Sequence, residues 1–324
     1  MAYTDQPTNS GLALRVRQVT YQAEGINSYE LVHPNGDQLP EFTAGAHIDV
    51  YLGSGLIRQY SLCNNPSERH RYLITVQRED QGRGGSRELH ETLVPQKEVR
   101  VSVPRNQFEL CPGTESALLL GAGIGITPLL AMAHELKRKG IPFQMHYCAA
   151  TRARAAFSDE LAALFGDSAV HIYYSREPSG QRLAISQLLS QFHPQQHLYY
   201  CGPTDFMKAC AQAAAHWPVG TVHTEYFQAA EPKIDIQPGQ YRVKLARSGI
   251  EIAAQPGQRL LPLLQEAGVE VSTSCESGLC GACVVPYIDG EVLHQDLILG
   301  EAERANRLTP CVSQVAGELL VLDL

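Results

Sequence analysis

The sequence predicts a multidomain protein of β and α/β class: a small antiparallel β-barrel, a doubly wound parallel α/β domain, and a compact C-terminal domain. Three observations predict this order. Short strands separated by Gly and Pro turns run to about residue 110, strands and helices then alternate to about residue 228, and four distinctively spaced cysteines follow near the C-terminus. A chain of 324 residues with 44% hydrophobic content is long enough for two or three such domains.

Composition limits the class of partner. The formal net charge is −8, which argues against nucleic acid because phosphate binding requires a basic surface. The segment Met1–Gly11 lacks the apolar core of a secretory leader, and no run of about 20 apolar residues predicts a membrane span. We therefore expect a cytoplasmic protein. Its other cysteines are expected to be free thiols that pack in cores: Cys63, Cys111, Cys148, Cys201 and Cys210.

The barrel is predicted by short alternating strands. Examples are Leu12–Val19, Ile48–Leu52, Tyr72–Gln77 and Val99–Val103. Turn sequences such as Pro34-Asn35-Gly36 separate them, which is typical of a small barrel. We assign residues 1–111 to this first domain.

Two pieces of the barrel segment suit a flavin. In the run 58–62, Arg58 can balance a phosphate, Tyr60 can cover a flat ring, and Ser61 can bond its polar rim. The run 82–86 is Gly-Arg-Gly-Gly-Ser ahead of a predicted helix, and a helix start preceded by glycines binds anions. Alone, each piece is also typical of a surface strand or a plain turn. Together, ahead of a nucleotide domain, they predict a flavin site.

The second domain, residues 112–228, is predicted by alternating strands and helices. The predicted strands are Ala117–Leu120, Phe143–Ala149, Val170–Tyr174 and His197–Tyr200. The predicted helices are Leu129–Lys139, stopped by Gly140, and Ser158–Phe165, and Leu183–Phe192 continues the alternation. This order predicts a parallel sheet with helices on both faces.

A nucleotide site is predicted at the carboxyl edge of that sheet. The loop 121–128 has glycines at 121, 123 and 125, follows a strand and opens a helix, as a pyrophosphate loop does, although its spacing is not G-x-G-x-x-G. Cys201-Gly202-Pro203 ends a second strand at the same edge. Cys201 is either a flank of the nicotinamide or a buried core thiol. Phe227 is either a cover for the flavin face or an interdomain packing residue.

The C-terminal domain, residues 240–324, follows a Pro/Gly-containing linker at Ala229–Gly239. It is predicted to begin with strands Tyr241–Ala246 and Glu251–Ala253 and a helix at Leu260–Ala267. Its cysteines then follow the plant-type ferredoxin spacing C-x4-C-x2-C…C for a [2Fe–2S] cluster. The ligands predicted by this spacing are Cys275, Cys280, Cys283 and Cys311.

Other interpretations of these cysteines fit less well. A structural zinc site usually has two C-x2–4-C pairs or pairs cysteine with histidine, whereas this segment has one C-x2-C. Disulfides are disfavoured because nine cysteines is an odd count and no leader is evident. Gly278 and Gly281 are expected to let the loop curl around the sulfides with positive φ.

Along nearly its whole length the chain resembles the phthalate dioxygenase reductase family. The resemblance is carried by residues 58–64, 82–86, 121–128, 201–203, 274–283 and 320–324. It implies a one-chain reductase of Rieske oxygenase systems, with flavin, nicotinamide and β-grasp ferredoxin domains in that order. This order implies FMN rather than FAD. The resemblance itself implies a monomer and a Rieske-type oxygenase as partner.

The resemblance also implies site residues. The candidate FMN set is Arg58, Gln59, Tyr60, Ser61, Val76, Gln77, Arg83, Gly84, Gly85, Ser86, Thr127 and Phe227. The candidate NAD(P) set is Gly121, Gly123, Gly125, Thr127, Pro128, Ser175, Arg176, Cys201, Gly202 and Pro203. Gln77 stands where the family has lysine, a change that a backbone contact would survive.

The nicotinamide cofactor remains open between NADH and NADPH. After strand Val170–Tyr174 the family commonly has an acidic residue for the adenosine ribose, but this chain has Ser175-Arg176. A hydroxyl and a guanidinium are good phosphate partners, so we expect NADPH to be accepted. An ordinary solvent-facing strand end is the other interpretation.

The predicted activity is electron transfer. Hydride from NAD(P)H passes to flavin, and single electrons then leave through the cluster to an oxygenase. Ser61, Phe227 and Cys201 are the candidate catalytic residues, and Glu225 is a further candidate near the flavin ring. Two alternatives stay open: a ferredoxin-like carrier or sensor without hydride chemistry, and a reductase for a non-Rieske hydroxylase.

Overall fold

The computed structural model describes residues 11–227, 241–255 and 258–324 and divides into two compact units, Met1–Glu225 and Tyr226–Leu324. The predicted linker, Ala229–Gly239, lies outside the described residues. The predicted limit between barrel and nucleotide domain, at residue 111, falls inside the first unit. The three predicted boundaries between segments therefore stay predictions.

A barrel forms the beginning of the first unit. Its elements are β1 (Leu12–Ala23), β2 (Ile26–Val32), β3 (His47–Tyr51), β4 (Ile57–Ser61), β5 (Tyr72–Gln77), α1 (Gly85–Thr92) and β6 (Glu98–Val101). The antiparallel sheet has the order β4-β3-β6-β1-β2-β5. A bridge between Leu62 and Ile74 joins its two ends, so the sheet curls into the predicted barrel. Alternate residues such as Leu14, Val16, Ile48 and Val50 fill its core.

A parallel sheet forms the rest of the first unit. Its elements are β7 (Ser116–Ala122), α2 (Ile126–Lys139), β8 (Phe143–Ala149), α3 (Ser158–Phe165), β9 (Val170–Tyr174), α4 (Ile185–Leu188), β10 (Gln196–Cys201), α5 (Thr204–Ala213) and β11 (Val222–Glu225). The order β11-β10-β7-β8-β9, with every pair parallel, confirms the predicted doubly wound fold. Short 3₁₀ turns occupy Gly123–Gly125 and Arg152–Arg154.

One predicted segment of this sheet domain is much shorter than its pattern indicates. The alternation predicts regular structure over Leu183–Phe192, but α4 has four residues, Ile185–Leu188. The carbonyl of Leu189 accepts a hydrogen bond of 3.0 Å from the Trp217 indole N–H. A tertiary contact thus takes the carbonyl that another helical turn would use.

The second unit is a small mixed sheet with one covering helix. Its elements are β12 (Tyr241–Leu245), β13 (Glu251–Ala254), α6 (Leu260–Glu266), β14 (Val285–Asp289), β15 (Val292–Leu293), α7 (Glu301–Arg304), β16 (Arg307–Leu308), β17 (Gln314–Val315) and β18 (Leu319–Leu322). The main sheet has the order β13-β12-β18-β14-β16, with β12 and β18 parallel. Leu260, Leu263 and Leu264 of α6 pack into its core, which confirms the predicted β-grasp fold.

None of the helices in the described part of the chain is long and apolar enough to cross a membrane.

Candidate active site

An anion cradle lies where β4 meets the start of α1. Arg58 of β4 donates hydrogen bonds of 2.8 Å from Nη1 to its neighbour's carbonyl at Ile57 and from Nη2 to the carbonyl of Arg83. Gly84, the residue before α1, has φ 81° and provides no side-chain cap. The first backbone N–H groups of α1 and the guanidinium thus lie together, as a phosphate site requires.

Gly85 is needed for this cradle because Arg58 packs directly against it. A Cβ at position 85 would lie 2.4 Å from Arg58 Nε and 2.5 Å from Arg58 Cγ, far inside van der Waals contact. Ser86 Oγ accepts a 3.0 Å hydrogen bond from the Glu79 N–H, which closes the loop before the helix. The predicted run 82–86 therefore has the local structure that an FMN phosphate fits.

The flanks of this cradle hold the other predicted flavin residues. Val76 and Gln77 end β5, and the Val76 carbonyl lies 2.9 Å from His90 Nε2 of α1. Tyr60 is largely buried, and burial raises the pKa of its phenol, so it stays neutral. Gln59 differs from its neighbours because its side-chain amide donates 3.1 Å to Asp49 inside the barrel. Gln59 could therefore contact a cofactor only through its backbone groups.

A buried carboxyl joins the barrel to the parallel sheet. Ser61 Oγ donates to Glu225 Oε2 at 3.4 Å, and His47 Nδ1 lies 4.0 Å from Glu225 Oε1. The Glu225 side chain is 16% exposed, and burial raises its pKa to about 8 against the opposing Ser61 hydrogen bond. Burial, with Arg105 nearby, lowers the pKa of His47 to about 4. At pH 7 a neutral carboxyl thus lies beside a neutral imidazole.

The predicted nucleotide loop and the end of β10 meet at one edge of the sheet. Gly121 of β7 is paired with Cys201 of β10, and Cys201 with Glu225 of β11. A Cβ at Gly125 would lie 2.3 Å from the Cys201 carbonyl oxygen, so only glycine allows this approach. Thr127, 2% exposed, donates 3.0 Å to the Ile124 carbonyl and fixes the first turn of α2.

Cys201 is fully buried in this arrangement. Burial raises the pKa of its thiol well above the usual value, so it remains a neutral S–H. Gly202 packs closely, since a Cβ there would lie 2.8 Å from Phe206 and 2.9 Å from Ala122. The predicted catalytic part of Cys201 stays a prediction, and it would act without ionising.

The Ser175-Arg176 pair follows β9 at the same edge. Both residues are exposed, and their backbone N–H groups donate 3.0 Å and 2.8 Å to the carbonyls of Ala149 and Ala150. Arg152, which was not among the residues predicted from the sequence, lies nearby: its guanidinium carbon is 4.9 Å from the centre of the Tyr174 ring. The backbone N–H of Arg152 donates 2.7 Å to Glu177, which ties the two turns together. Two arginines therefore flank the end of β9.

The four predicted iron ligands form two pairs in the second unit. Cys283 Sγ lies 3.3 Å from Cys311 Sγ, and Cys280 hydrogen-bonds Cys275 and lowers the pKa of its thiol to about 6. Two irons need two thiolates each, so this pairing fits a [2Fe–2S] cluster. Gly278 and Gly281 have positive φ values of 70° and 68°, as predicted for a loop that curls around the cluster.

Backbone N–H groups point at the sulfurs of that loop. Ser277 and Leu279 donate to Cys275 Sγ at 3.4 Å, and Ala282 donates to Cys280 Sγ at 3.4 Å. Such donors stabilise thiolate charge and tune a cluster's potential. Phe227, 37% exposed, is the second residue of the second unit and lies two residues after β11; its predicted flavin contact stays a prediction.

Two family models match the chain. One is described as a 2Fe-2S iron-sulfur cluster binding domain and matches residues 243–316, and the other is an oxidoreductase NAD-binding domain and matches residues 119–212. They cover the two segments in which the cysteine pairs and the nucleotide loop lie.

Similar proteins extend over the whole length. The tert-butanol monooxygenase / tert-amyl alcohol desaturase reductase subunit of Aquincola tertiaricarbonis is 45% identical over 100% of this chain and 99% of its own. The solved structure of phthalate dioxygenase reductase, described as a modular structure for electron transfer from pyridine nucleotides to [2Fe-2S], is 37% identical, covers 98% of both chains and has a TM-score of 0.75. The crystal structure of an intact type IV self-sufficient cytochrome P450 monooxygenase is 35% identical, with a TM-score of 0.86. The match covers 99% of this chain but 43% of that protein.

Proposed function

Since this chain belongs to the phthalate dioxygenase reductase family, we propose that it delivers electrons to a separate oxygenase of the Rieske type. It is an NAD(P)H-dependent oxidoreductase of the kind that serves as the reductase component of oxygenase systems. The observation that carries the proposal is the pairing of four cysteine thiols in the same chain as an arginine–helix phosphate cradle.

FMN and the [2Fe–2S] cluster, when bound, would supply the redox chemistry: two electrons accepted together as hydride are passed on one at a time to the oxygenase. Arg58 and the first N–H groups of α1 would hold the FMN phosphate, and Tyr60 would lie along the flavin ring. The Cys275/Cys280 and Cys283/Cys311 pairs would each hold one iron. The chain's own contribution is to position these groups.

Glu225 and Ser61 form the proton-holding pair of the proposed site. The Glu225 carboxyl keeps its proton at pH 7 because its surroundings are buried and its close neighbours, His47 and Cys201, are uncharged. The Ser61 hydroxyl lies within reach of that carboxyl and on the strand that carries Arg58 and Tyr60. Glu225 thus holds a proton beside the flavin-binding strand.

The proposed nicotinamide cofactor includes NADPH. Ser175 and Arg176 occupy the strand end at which the adenosine ribose binds in such sheets, and Arg152 adds a second guanidinium there. We place the protein in the cytoplasm, where pyridine nucleotides are supplied and thiols stay reduced, and we propose that it is a monomer. None of its nine cysteines, all of which the structure describes, is in a disulfide.

The test is anaerobic mixing of the reconstituted protein with NADPH or NADH, first alone and then with a purified Rieske oxygenase. We expect the flavin absorbance to bleach, and the reduced Rieske centre to appear by electron paramagnetic resonance. The matched variant Cys311→Ser should still bleach flavin but should not reduce the Rieske centre. Absence of bleaching in the wild type would falsify the hydride chemistry.

A haem monooxygenase is the second candidate acceptor. It is favoured by the similarity to the self-sufficient cytochrome P450 monooxygenase, because nearly the whole of this chain matches one part of that protein. The test measures the rate at which the protein reduces a P450 haem domain under carbon monoxide, followed by the ferrous–CO absorbance. This rate is compared with the rate of reduction of the Rieske centre. Faster reduction of the haem would favour this second acceptor.

A further inference from the structure

We propose that Cys111, His197 and His223 form a zinc-binding site at the amino end of the parallel sheet. His197 and His223 are the second residues of the neighbouring parallel strands β10 and β11. Cys201 ends β10 four residues after His197, about 13 Å away along the strand at about 3.3 Å per residue. The group is therefore separate from the nucleotide edge, and the four cluster cysteines belong to the other unit of the chain.

The ligand atoms already lie close to a metal-binding arrangement. One ligand atom from each residue lies within 4.8 Å of the others, and His197 Nδ1 is 2.9 Å from His223 Nε2. A tetrahedral zinc with bonds of about 2.0–2.3 Å separates its nitrogen and sulfur ligands by about 3.3–3.6 Å. To admit the ion, the two imidazole nitrogens would open by a few tenths of an ångström, and the Cys111 sulfur would approach them by up to about 1.2 Å.

Tyr199 holds two of the three residues in place. Its ring stacks on the His223 imidazole with centroids 4.6 Å apart and planes at 13°. Its hydroxyl oxygen accepts a 2.8 Å hydrogen bond from the Cys111 N–H and lies 3.2 Å from Thr114 Oγ1. The same residue thus orients one imidazole and fixes the backbone of the cysteine, which is how supporting contacts orient metal ligands.

The donor set selects the class of metal. One thiolate and two imidazoles suit zinc, whereas Mg²⁺ and Ca²⁺ prefer oxygen ligands. All three residues are partly exposed, so an ion can reach them, and three protein ligands leave a fourth position for water. Cys111 lies between β6 and β7, so bound zinc would tie that connecting segment to β10 and β11.

The experiment measures zinc on the reconstituted holoprotein in buffered micromolar free Zn²⁺. Elemental analysis should find one zinc per chain beside the cluster iron. Cys111→Ser, His197→Asn and His223→Gln should each weaken zinc binding at least about tenfold with iron and FMN content unchanged. The matched control is His216→Gln, which alters an exposed histidine of the same unit and should bind zinc as the wild type does.

Zinc-edge X-ray absorption on the same holoprotein identifies the ligands independently of the variants. The expected first shell has one sulfur and two histidine nitrogens. A wild type that retains no zinc would overturn the proposal, and the histidines would be a hydrogen-bonded pair. A four-sulfur shell, or binding unchanged in all three ligand variants, would place the metal elsewhere and overturn it equally.

Discussion

Replacing Gly85 with alanine should weaken FMN binding by displacing Arg58. The added methyl would lie 2.4 Å from Arg58 Nε, 2.5 Å from Cγ and 2.9 Å from Cδ, where carbon contacts normally lie at about 3.5–4.0 Å. The Arg58 side chain must therefore move by about 1 Å, because that is the difference between these distances and an ordinary carbon contact. Its hydrogen bond to the Arg83 carbonyl and its place beside the start of α1 are lost together.

The size of the effect follows from what the guanidinium would contribute. A hydrogen bond to a charged group contributes about 1.5–3 kcal/mol, so loss of the phosphate contact should weaken FMN binding about ten- to hundredfold. Helix propensity opposes this change, since alanine is the better helix former at Gly85. A loss of affinity would thus identify the steric displacement and not a frayed helix.

The assay is titration of flavin-free protein with FMN, followed by quenching of flavin fluorescence. Gly53→Ala is the matched control because its Cβ would lie 3.6 Å from Glu88, an ordinary contact. Iron content should be the same in both variants. Equal FMN affinity in Gly85→Ala and wild type would refute the assignment of Arg58 and the α1 start as the phosphate cradle.

Three further predictions test the other parts of the site. Cys311→Ser removes one thiolate of the Cys283 pair, so cytochrome c reduction should fall to background while FMN content is kept; retained cluster absorbance would contradict the ligand assignment. Arg176→Ala should lower kcat/KM for NADPH about tenfold through loss of a charged hydrogen bond and leave NADH unchanged, whereas equal loss with both would argue against a 2′-phosphate contact. Glu225→Gln concerns pH: the pKa rises from 4.5 to about 8 on folding, so wild-type stability should fall by about 2 kcal/mol between pH 6 and 8, and the variant's should not. Urea unfolding followed by Trp217, the single tryptophan, checks this in the same unit, and parallel pH curves for the two proteins would count against the shift.

Local sequence signals predicted the regular elements closely. The predicted limits of β5, β8, α3 and β9 coincide with those of the structure. The three strands are short segments rich in apolar and aromatic residues, and α3 has a helical pattern that ends at Gly166, so each signal is local. The cluster loop was equally accessible, since three of its four cysteines and both positive-φ glycines lie within ten residues. Elements and loops that depend on neighbouring residues alone could therefore be predicted from the sequence.

Contacts between distant segments could not be predicted in the same way. Ser61 and Glu225 are 164 residues apart, and nothing in either local run indicates that they meet. The short strand β11 was not predicted, because four half-buried residues give no clear period. Arg152 was missed because it lies in a turn after β8 whose approach to Tyr174 depends on the pairing of β8 with β9.

The pairing of β10 with β11 explains why two groups of functional residues lie on the same two strands. Side chains of a strand alternate, so His197, Tyr199 and Cys201 share one face of β10, as His223 and Glu225 share one face of β11. Because the strands are parallel, their carboxyl ends bring Cys201 and Glu225 to the nucleotide edge, while their amino ends bring the two imidazoles together at the opposite edge. Tyr199 lies between these groups and stacks on His223. One strand pairing, which neither strand's sequence indicates alone, therefore positions both the proposed proton-holding carboxyl and the two histidines of the proposed zinc site.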